Sequence, residues 1–192
     1  MNAIDAARHA PVRRHRLTVE DYHRMGEAGT FAPGERVELT DGEIIDRPPI
    51  GSSHGGTVNR LNHLLVTAVG ERAIVSVQNS IVLGDHSEPE PDVALLRPRE
   101  DFYRSATARA EDVLLVIEVA VTTLAYDRDV KLSLYARHGI PEVWLIDVEG
   151  GRLTAHRDPS DGRYATLETP ADLRDLRPRE LDGVGLDLSD LF

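Results

Sequence analysis

The sequence predicts an α/β protein in which helices flank a mixed β-sheet. Residues 114–121 form a run in which every residue except Glu118 is apolar, and such a run is typical of a strand buried on both faces. Segments with helical periodicity near residues 54–69 and 125–137 are separated by shorter apolar runs. This alternation of helices and short strands favours an α/β sandwich.

The composition indicates one folded domain. At 192 residues the chain is long enough for a substantial core, and 41% hydrophobic residues are typical of a globular protein. There is no cysteine, which excludes disulfides and thiolate zinc sites and suits a reducing cytoplasm. Residues 1–16 lack the apolar core of a secretory signal, and no apolar run approaches the roughly 18 residues that span a membrane. We therefore expect a cytoplasmic protein with no membrane partner.

Charge is unevenly distributed along the chain, whose formal net charge is −11. Residues 1–16 carry four arginines and one aspartate, a net charge of +3, so residues 17–192 carry −14. We predict a flexible basic N-terminal arm over residues 1–16, either a solvated tail or a DNA-contacting arm, and a single domain over residues 17–192. The acidic domain argues against nucleic-acid binding unless bound cations offset its carboxylates.

Local patterns predict the elements of the first third of the chain. Thr18 is expected to cap a helix, with Asp21 at the capping-box position. Asp-Gly between two alternating runs predicts a hairpin over residues 36–45. A further helix is expected to end near residue 69. Its buried face is expected to contain Val58, Leu61, Leu65 and Ala68.

The remainder of the chain is predicted to supply most of the sheet. Residues 97–112 are polar and are expected to form a loop with some helix. Alternating apolar residues from Val184 to Leu188 predict a last strand that docks on the core and buries Leu191 and Phe192. Strands are expected over residues 73–83, 92–96, 114–121 and 142–147, followed by a meander over residues 153–157 and 164–167.

Three residues suggest a reactive site. Glu118 lies within the apolar run, where an ionised carboxylate is costly unless it is paired, metal-bound or protonated. Asp92 opens a neighbouring apolar run, and Lys131 follows in a segment with helical periodicity. Two acids on adjacent strands with a lysine facing them are the outline of a metal-dependent hydrolysis site. Mg²⁺ takes one or two protein carboxylates and keeps several waters, and a lysine orients or deprotonates the attacking water.

Each of these residues also has a purely structural interpretation, which the pattern leaves open. Lys131 could form an exposed pair with Asp127, four residues earlier on the helix. Asp92 could be a turn residue at the start of its run. Strand alternation places Glu118 on the same face as Leu114, Val116 and Ala120, but a different register would leave its carboxylate at the rim.

Other polar residues are equally open to two interpretations. Glu38 and Glu43 lie on the two sides of the predicted hairpin, where both could simply face solvent. His54 lies near the start of the helix that ends at residue 69 and close to its buried face. It could be a packed histidine of the core or a histidine beside the site.

Five short motifs occur in a characteristic order. They are Glu-Arg-Val-Glu-Leu with Asp-Gly-Glu at 35–43, Pro-Glu-Pro-Asp-Val at 89–93, Val-Ile-Glu-Val at 116–119, Tyr-Asp-Arg-Asp-Val-Lys-Leu-Ser-Leu-Tyr-Ala at 126–136 and Gly-Ile-Pro-Glu-Val-Trp-Leu-Ile-Asp at 139–147. From residue 18 to its C-terminus, the chain resembles the Uma-type endonucleases, a bacterial branch of the restriction-endonuclease-like PD-(D/E)XK superfamily.

The resemblance implies a restriction-endonuclease-like core, Mg²⁺ dependence with Mn²⁺ as a substitute, and a DNA substrate. Under the family pattern, Asp92 and Glu118 are the metal ligands and Glu38 is an additional acid. The superfamily places its lysine two residues after the glutamate, where this chain has Ala120. In this branch the following helix supplies the lysine, which corresponds to Lys131.

One departure concerns the end of the glutamate strand, where family members commonly carry a polar residue and this chain has Val121. The expected function is a Mg²⁺-dependent DNA endonuclease acting as a homodimer. The alternative is a non-catalytic nuclease-fold binding or regulatory protein that retains an acidic pocket. A glycosidase with paired carboxylates would leave the lysine unexplained, and only 5% of the residues are aromatic side chains for stacking on sugars.

Overall fold

The computed structural model describes residues 14–192, so most of the predicted arm over residues 1–16 lies outside the described residues. A π-helical turn covers Asp127–Lys131, and 3₁₀ turns cover Gly70–Arg72 and Ala110–Asp112. The elements are α1 (Val19–Glu27), β1 (Val37–Thr40), β2 (Glu43–Asp46), α2 (Ser52–Val69), β3 (Ile74–Val77), β4 (Ile81–Val82), β5 (Val93–Leu96), β6 (Ala108–Arg109), β7 (Val113–Ala120), α3 (Leu124–Tyr126), α4 (Leu132–Arg137), β8 (Glu142–Asp147), β9 (Arg152–Ser160) and β10 (Arg163–Glu168).

Six strands form a mixed sheet in the order β10-β9-β8-β7-β5-β3. Strands β7 and β8 are parallel, whereas every other neighbouring pair in this sheet is antiparallel. A parallel pair needs a crossover connection, and the helical segment from α3 to α4 provides it. The hairpin β1-β2 and the parallel pair β4-β6 lie outside this sheet. The predicted α/β class with a mixed sheet is confirmed.

Apolar cores lie on both faces of the sheet. Helix α2 and the C-terminal segment pack on one face, and α4 packs on the other. Because successive side chains of a strand point to opposite faces, Ile117 and Val119 join the α2 core whereas Val116 and Ala120 join the α4 core. Glu118 therefore shares the α4 side of β7.

Strand β7 is the centre of the fold, and all eight of its residues are buried. The sequence predicted that Leu114 lies on the same face of this strand as Glu118, and that prediction is wrong. Leu114 packs in the α2 core and not on the side of Glu118. The pairing of β5 with β7 shifts register between Leu95 and Leu96, and this irregularity interrupts the simple alternation.

The predicted helix cap and hairpin are both confirmed. The Thr18 hydroxyl accepts a hydrogen bond from Asp21 N at 3.1 Å, and the Asp21 carboxylate accepts one from Thr18 N at 3.0 Å. Strands β1 and β2 pair so that Thr40 lies opposite Glu43. The two residues between them, Asp41 and Gly42, have φ of 52° and 82°, as the favoured two-residue hairpin turn requires.

Residues 97–112 are mostly loop with a 3₁₀ turn at Ala110–Asp112, as expected, and they also contain the short strand β6, which pairs with β4. The expectation of a last strand near the C-terminus is wrong. No strand forms within residues 169–192, where a single bridge joins Leu176 to Leu186. Leu191 is buried as expected, but Phe192 is 48% exposed. Among residues 14–192, no helix combines the length and the apolar character that crossing a membrane requires.

Candidate active site

A cavity of about 670 Å³ opens beside the C-terminal end of β7 and is lined by all four predicted site residues. Glu38 comes from β1, Asp92 directly precedes β5, Glu118 lies in β7 and Lys131 ends the π-helical turn. All four residues are buried, with exposed fractions of 3% or less. Four distant parts of the chain thus place three acids and one lysine at the same cavity.

The π-helical turn sets the position of the lysine. Leu132 N donates to Asp127 O, five residues back, so this turn is wider than an ordinary α-helical turn. Within it, both Asp127 and Lys131 are buried, and both line the cavity. The alternative of an exposed pair between Asp127 and Lys131 is therefore wrong. Turns of this kind are frequent at functional sites.

Lys131 connects two of the acids. Its Nζ lies 3.1 Å from Glu118 Oε1 and 3.4 Å from Glu38 Oε2. Burial opposes the charge of the ammonium group, but Glu118 and Glu38 outweigh burial and raise the pKa of Lys131 above its usual value. Lys131 is therefore protonated at neutral pH.

Glu118 is held by two donors of the same helical segment. In addition to Lys131, the Tyr135 hydroxyl donates a hydrogen bond of 2.5 Å to Glu118 Oε1. Burial raises the pKa of Glu118 to about 8, the charges of Asp92 and Asp127 add to this shift, and Lys131 and Tyr135 oppose it. In the metal-free protein this carboxyl group therefore takes up a proton far more readily than an ordinary glutamate.

Asp92 has one satisfied and one unsatisfied oxygen. Its Oδ2 accepts a hydrogen bond of 2.9 Å from Val119 N, across from β5 to β7. Its Oδ1 lies 3.0 Å from His54 Nε2 and 3.5 Å from Arg47 Nη2, but it is buried without a hydrogen-bond partner. Burial opposes ionisation of Asp92, yet His54, Val119 N and Lys131 outweigh it and lower the pKa of this carboxyl group.

Few carboxylate oxygens of the site are free to hold a metal ion. Among residues 14–192, no group of three or more His, Cys, Asp or Glu side chains is arranged to hold a metal ion. Lys131 lies between Glu38 and Glu118 and satisfies both of them. Mg²⁺ needs only one or two carboxylates because water fills its other positions. The unsatisfied Oδ1 of Asp92 is a hard oxygen of this kind, so Asp92 has an oxygen that fits such an ion, whereas Oε1 of Glu118 is already paired with Lys131 and Tyr135.

The remaining sequence-based alternatives are also decided by the structure. Glu43 faces solvent, but Glu38 is 1% exposed, so the solvent-facing interpretation of Glu38 is wrong. Glu38 Oε2 accepts a hydrogen bond from Glu90 N at 3.2 Å. His54 lies beside the site, because its ring reaches Asp92. Asp92 is buried and is not an exposed turn residue.

Three residues that contact the buried acids of the site were missed by sequence reasoning. Tyr135 lies four residues after Lys131 on the same helical segment, so helical spacing alone could have identified it. Tyr126 donates to Glu38 Oε1 at 3.3 Å, and only the fold brings these two residues together. Arg47 follows the second strand of the hairpin, and nothing in its local sequence distinguishes it from an exposed arginine.

Comparisons with known proteins identify a family and a similar fold. A family model described as "Uma2: Putative restriction endonuclease" matches residues 19–189. The chain is also similar to a crystal structure from Anabaena variabilis described as "a putative nuclease belonging to DUF820". The two share 19% sequence identity and a TM-score of 0.71, over 92% of this chain and 97% of that chain. No curated protein matches this chain.

The likeness to the Anabaena structure shows a shared restriction-endonuclease-like fold. The family assignment does not depend on that likeness, because the family model matches the sequence itself over residues 19–189. The protein belongs to the Uma2 family, whose model carries the description "Putative restriction endonuclease".

Proposed function

We propose that the protein is a Mg²⁺-dependent endonuclease that hydrolyses phosphodiester bonds in DNA. In this proposal Asp92 and Glu118 hold the metal ion, Glu38 is an additional acid and Lys131 orients the attacking water. One observation carries the proposal: the buried carboxylates of Glu38, Asp92, Glu118 and Asp127 and the buried lysine Lys131 line a single cavity. Membership of the Uma2 family supports the same reaction class.

In this proposal the residues of the site have different roles in phosphodiester hydrolysis. When bound, Mg²⁺ supplies Lewis-acid chemistry that activates water and offsets charge on the leaving oxygen. Lys131 is held protonated by Glu118 and Glu38, so it suits orienting water and stabilising phosphate charge better than removing a proton. Glu38 also pairs with Lys131, and in this proposal it would be the additional acid that helps to hold the ammonium group in place.

Several exposed residues that line the cavity lie between β2 and α2. The rim there includes Pro48, Pro49 and Ile50, which leads directly into the first turn of α2. Ile50 is 45% exposed and gives the rim an apolar surface. The net charge of −11 means that DNA binding depends on local cations and on metal, so binding is expected to weaken steeply with salt.

The test is a plasmid-nicking assay at low salt with Mg²⁺ or Mn²⁺, comparing the wild-type protein with Glu118→Gln and Asp92→Asn. Cleavage that needs metal and disappears in both variants supports the proposal. Cleavage that persists in Glu118→Gln with an intact fold overturns the catalytic assignment. A matched control is Glu142→Gln, because Glu142 is equally buried but does not line the cavity.

A specific observation also favours the non-catalytic alternative. Lys131 already satisfies Glu118 and Glu38, and within residues 14–192 no three-ligand metal group exists. A nuclease-fold binding protein could keep such an internally neutralised cluster. Calorimetric titration separates the two functions, since a protein that takes up neither Mg²⁺ nor Mn²⁺ would favour the non-catalytic one.

A further inference from the structure

Arg47 is the least expected residue of the acid cluster. It directly follows β2, and its backbone N–H donates to Arg36 O at 2.8 Å, which fixes the two arginines side by side. Both line the cavity. The side chain of Arg47 is only 12% exposed, whereas that of Arg36 is 28% exposed.

The guanidinium of Arg47 faces three carboxylates at once. Nη1 donates a hydrogen bond to Glu90 Oε1, Nη2 lies 3.5 Å from Asp92 Oδ1 and Nε lies 3.8 Å from Glu38 Oε2. Only the contact with Glu90 is a hydrogen bond. Toward Asp92 and Glu38, Arg47 supplies charge without using the lone pairs of their oxygens.

Asp92 is the proposed metal ligand that this charge contacts directly, since Arg47 Nη2 lies 3.5 Å from its Oδ1. Lys131 pairs directly with Glu118 and Glu38, so those two carboxylates keep a counter-ion even without Arg47. Asp92 has no ion pair with Lys131 within residues 14–192, and its ion-pair partners there are Arg47 and the ring of His54. Its Oδ1 is buried and unsatisfied. A buried carboxylate in this state attracts either a fixed cation or a bound one.

We propose that Arg47 is the resident counter-ion of the acid site, so that a divalent cation and Arg47 compete for Asp92. The inference rests on the metal site of the proposed function. A metal ion at the unsatisfied Oδ1 of Asp92 places positive charge within a few ångströms of the guanidinium, and the two charges repel. Arg47 thus stabilises the metal-free protein and weakens metal binding, which makes it a positioning residue and not a catalytic one.

Arg36 provides a matched control. Its Nη2 donates to the same oxygen, Glu90 Oε1, at 2.6 Å, but Arg36 forms no ion pair with Asp92 or Glu38 within residues 14–192. Removing Arg36 therefore disturbs the arginine–Glu90 clamp without removing charge from the metal ligands. If Arg47 served only as part of that clamp, the two arginines would have the same effect on metal affinity.

The experiment is a titration of Mn²⁺ into the full-length protein, followed by calorimetry and by the loss of the free Mn²⁺ paramagnetic resonance signal. Arg47→Met keeps an apolar stem of similar length and removes the charge. We expect it to bind Mn²⁺ about tenfold tighter than the wild type, within the usual range of coupling between two ligands, and to melt at a lower temperature without metal. Arg36→Met should leave Mn²⁺ affinity unchanged, and Arg47→Lys should restore most of the wild-type affinity.

Three outcomes overturn the inference: unchanged or weaker Mn²⁺ affinity in Arg47→Met, equal tightening in Arg36→Met, or no Mn²⁺ binding in either the wild type or Arg47→Met. Should Arg47→Met not fold, Arg47→Gln is titrated in its place. A variant that binds Mn²⁺ tighter while no form of the protein cleaves DNA would leave the inference standing and refute the nuclease function.

Discussion

Lys131 Nζ lies 3.1 Å from Glu118 Oε1, and the same ammonium group lies 3.4 Å from Glu38 Oε2. Glu118 is thus one of two acids that hold this buried lysine. Loss of either acid leaves the lysine with a partner, whereas loss of the lysine leaves two buried carboxylates without their shared cation. This asymmetry determines the mutational behaviour of the site.

Glu118→Gln is expected to abolish metal-dependent cleavage with only a modest change in stability. The amide has nearly the same volume, so it leaves no cavity. Burial raises the pKa of Glu118, so the neutral amide avoids the cost of a buried charge, and Glu38 still pairs with Lys131; any loss of unfolding free energy should therefore stay below the about 3–5 kcal/mol of a broken buried pair. Urea unfolding and plasmid nicking measure the two effects. A strongly destabilised variant that still nicks DNA would contradict both expectations.

Lys131→Met should destabilise the metal-free protein more than Glu118→Gln does. It removes the cation shared by Glu118 and Glu38, and we expect a loss of about 3–5 kcal/mol. The double variant Lys131→Met with Glu118→Gln should recover part of this loss, because one of the two unpaired carboxylates is gone. A double-mutant cycle from urea unfolding gives the coupling energy, and additive losses would show that the pair is not coupled.

The stability of the metal-free protein is expected to depend on pH through Glu118. Its pKa is 4.5 ordinarily and about 8 in the folded protein. A group whose pKa rises on folding stabilises the protein fully below its unfolded pKa, and this contribution is lost as pH rises through its folded pKa. The free energy of unfolding should therefore fall between about pH 5 and about pH 8. Glu118→Gln should show a shallower decline, and identical pH profiles for the two proteins would contradict this assignment.

Mg²⁺ is expected to raise the melting temperature of the wild-type protein by mass action, since the ion binds only the folded site. Asp92→Asn should lose this rise. Its side-chain carbonyl can still accept the hydrogen bond from Val119 N, so the variant keeps the link between β5 and β7 while losing the charged oxygen. Thermal melts with and without Mg²⁺ test the prediction. A wild-type melting curve that is unchanged at high Mg²⁺ concentration would argue against a functional metal site.

The parts of the site that sequence analysis identified are those with strong local patterns. Glu118 interrupts an apolar run, so its burial follows from the strand that contains it. Helical periodicity placed Lys131 near the buried face of its segment, but it could not show the π-helical turn that brings both Asp127 and Lys131 inward. That turn depends on packing around the cavity and not on residue spacing alone.

Other features depend on long-range packing and have no local pattern. The alternating pattern of the short hairpin allowed Glu38 to face solvent, yet Tyr126 and Lys131 from distant segments contact it and bury it. Alternation near Leu186 correctly indicated burial, but the segment forms a single bridge with Leu176 instead of a strand. Apolar alternation therefore identified buried side chains more reliably than it identified backbone pairing.

The final prediction concerns Glu142, a buried acid that does not line the cavity. Its Oε1 accepts hydrogen bonds of 2.7 Å from Trp144 Nε1 and Arg157 Nε, and its Oε2 accepts one of 2.7 Å from Arg179 N. All of its partners are therefore supplied by the protein. Unlike Asp92, this carboxylate has no unsatisfied oxygen for a metal ion.

Glu142→Gln should destabilise the fold by about 1–3 kcal/mol, because the amide can replace only part of this hydrogen bonding and removes the charge opposite Arg157. The rise in melting temperature with Mg²⁺ and the nicking activity should both persist. The single tryptophan donates directly to Glu142, so its fluorescence reports local disturbance during the same unfolding experiment. Loss of the Mg²⁺ response in a folded Glu142→Gln variant would mean that metal acts outside the cavity, and the assignment of Asp92 and Glu118 would fail with it.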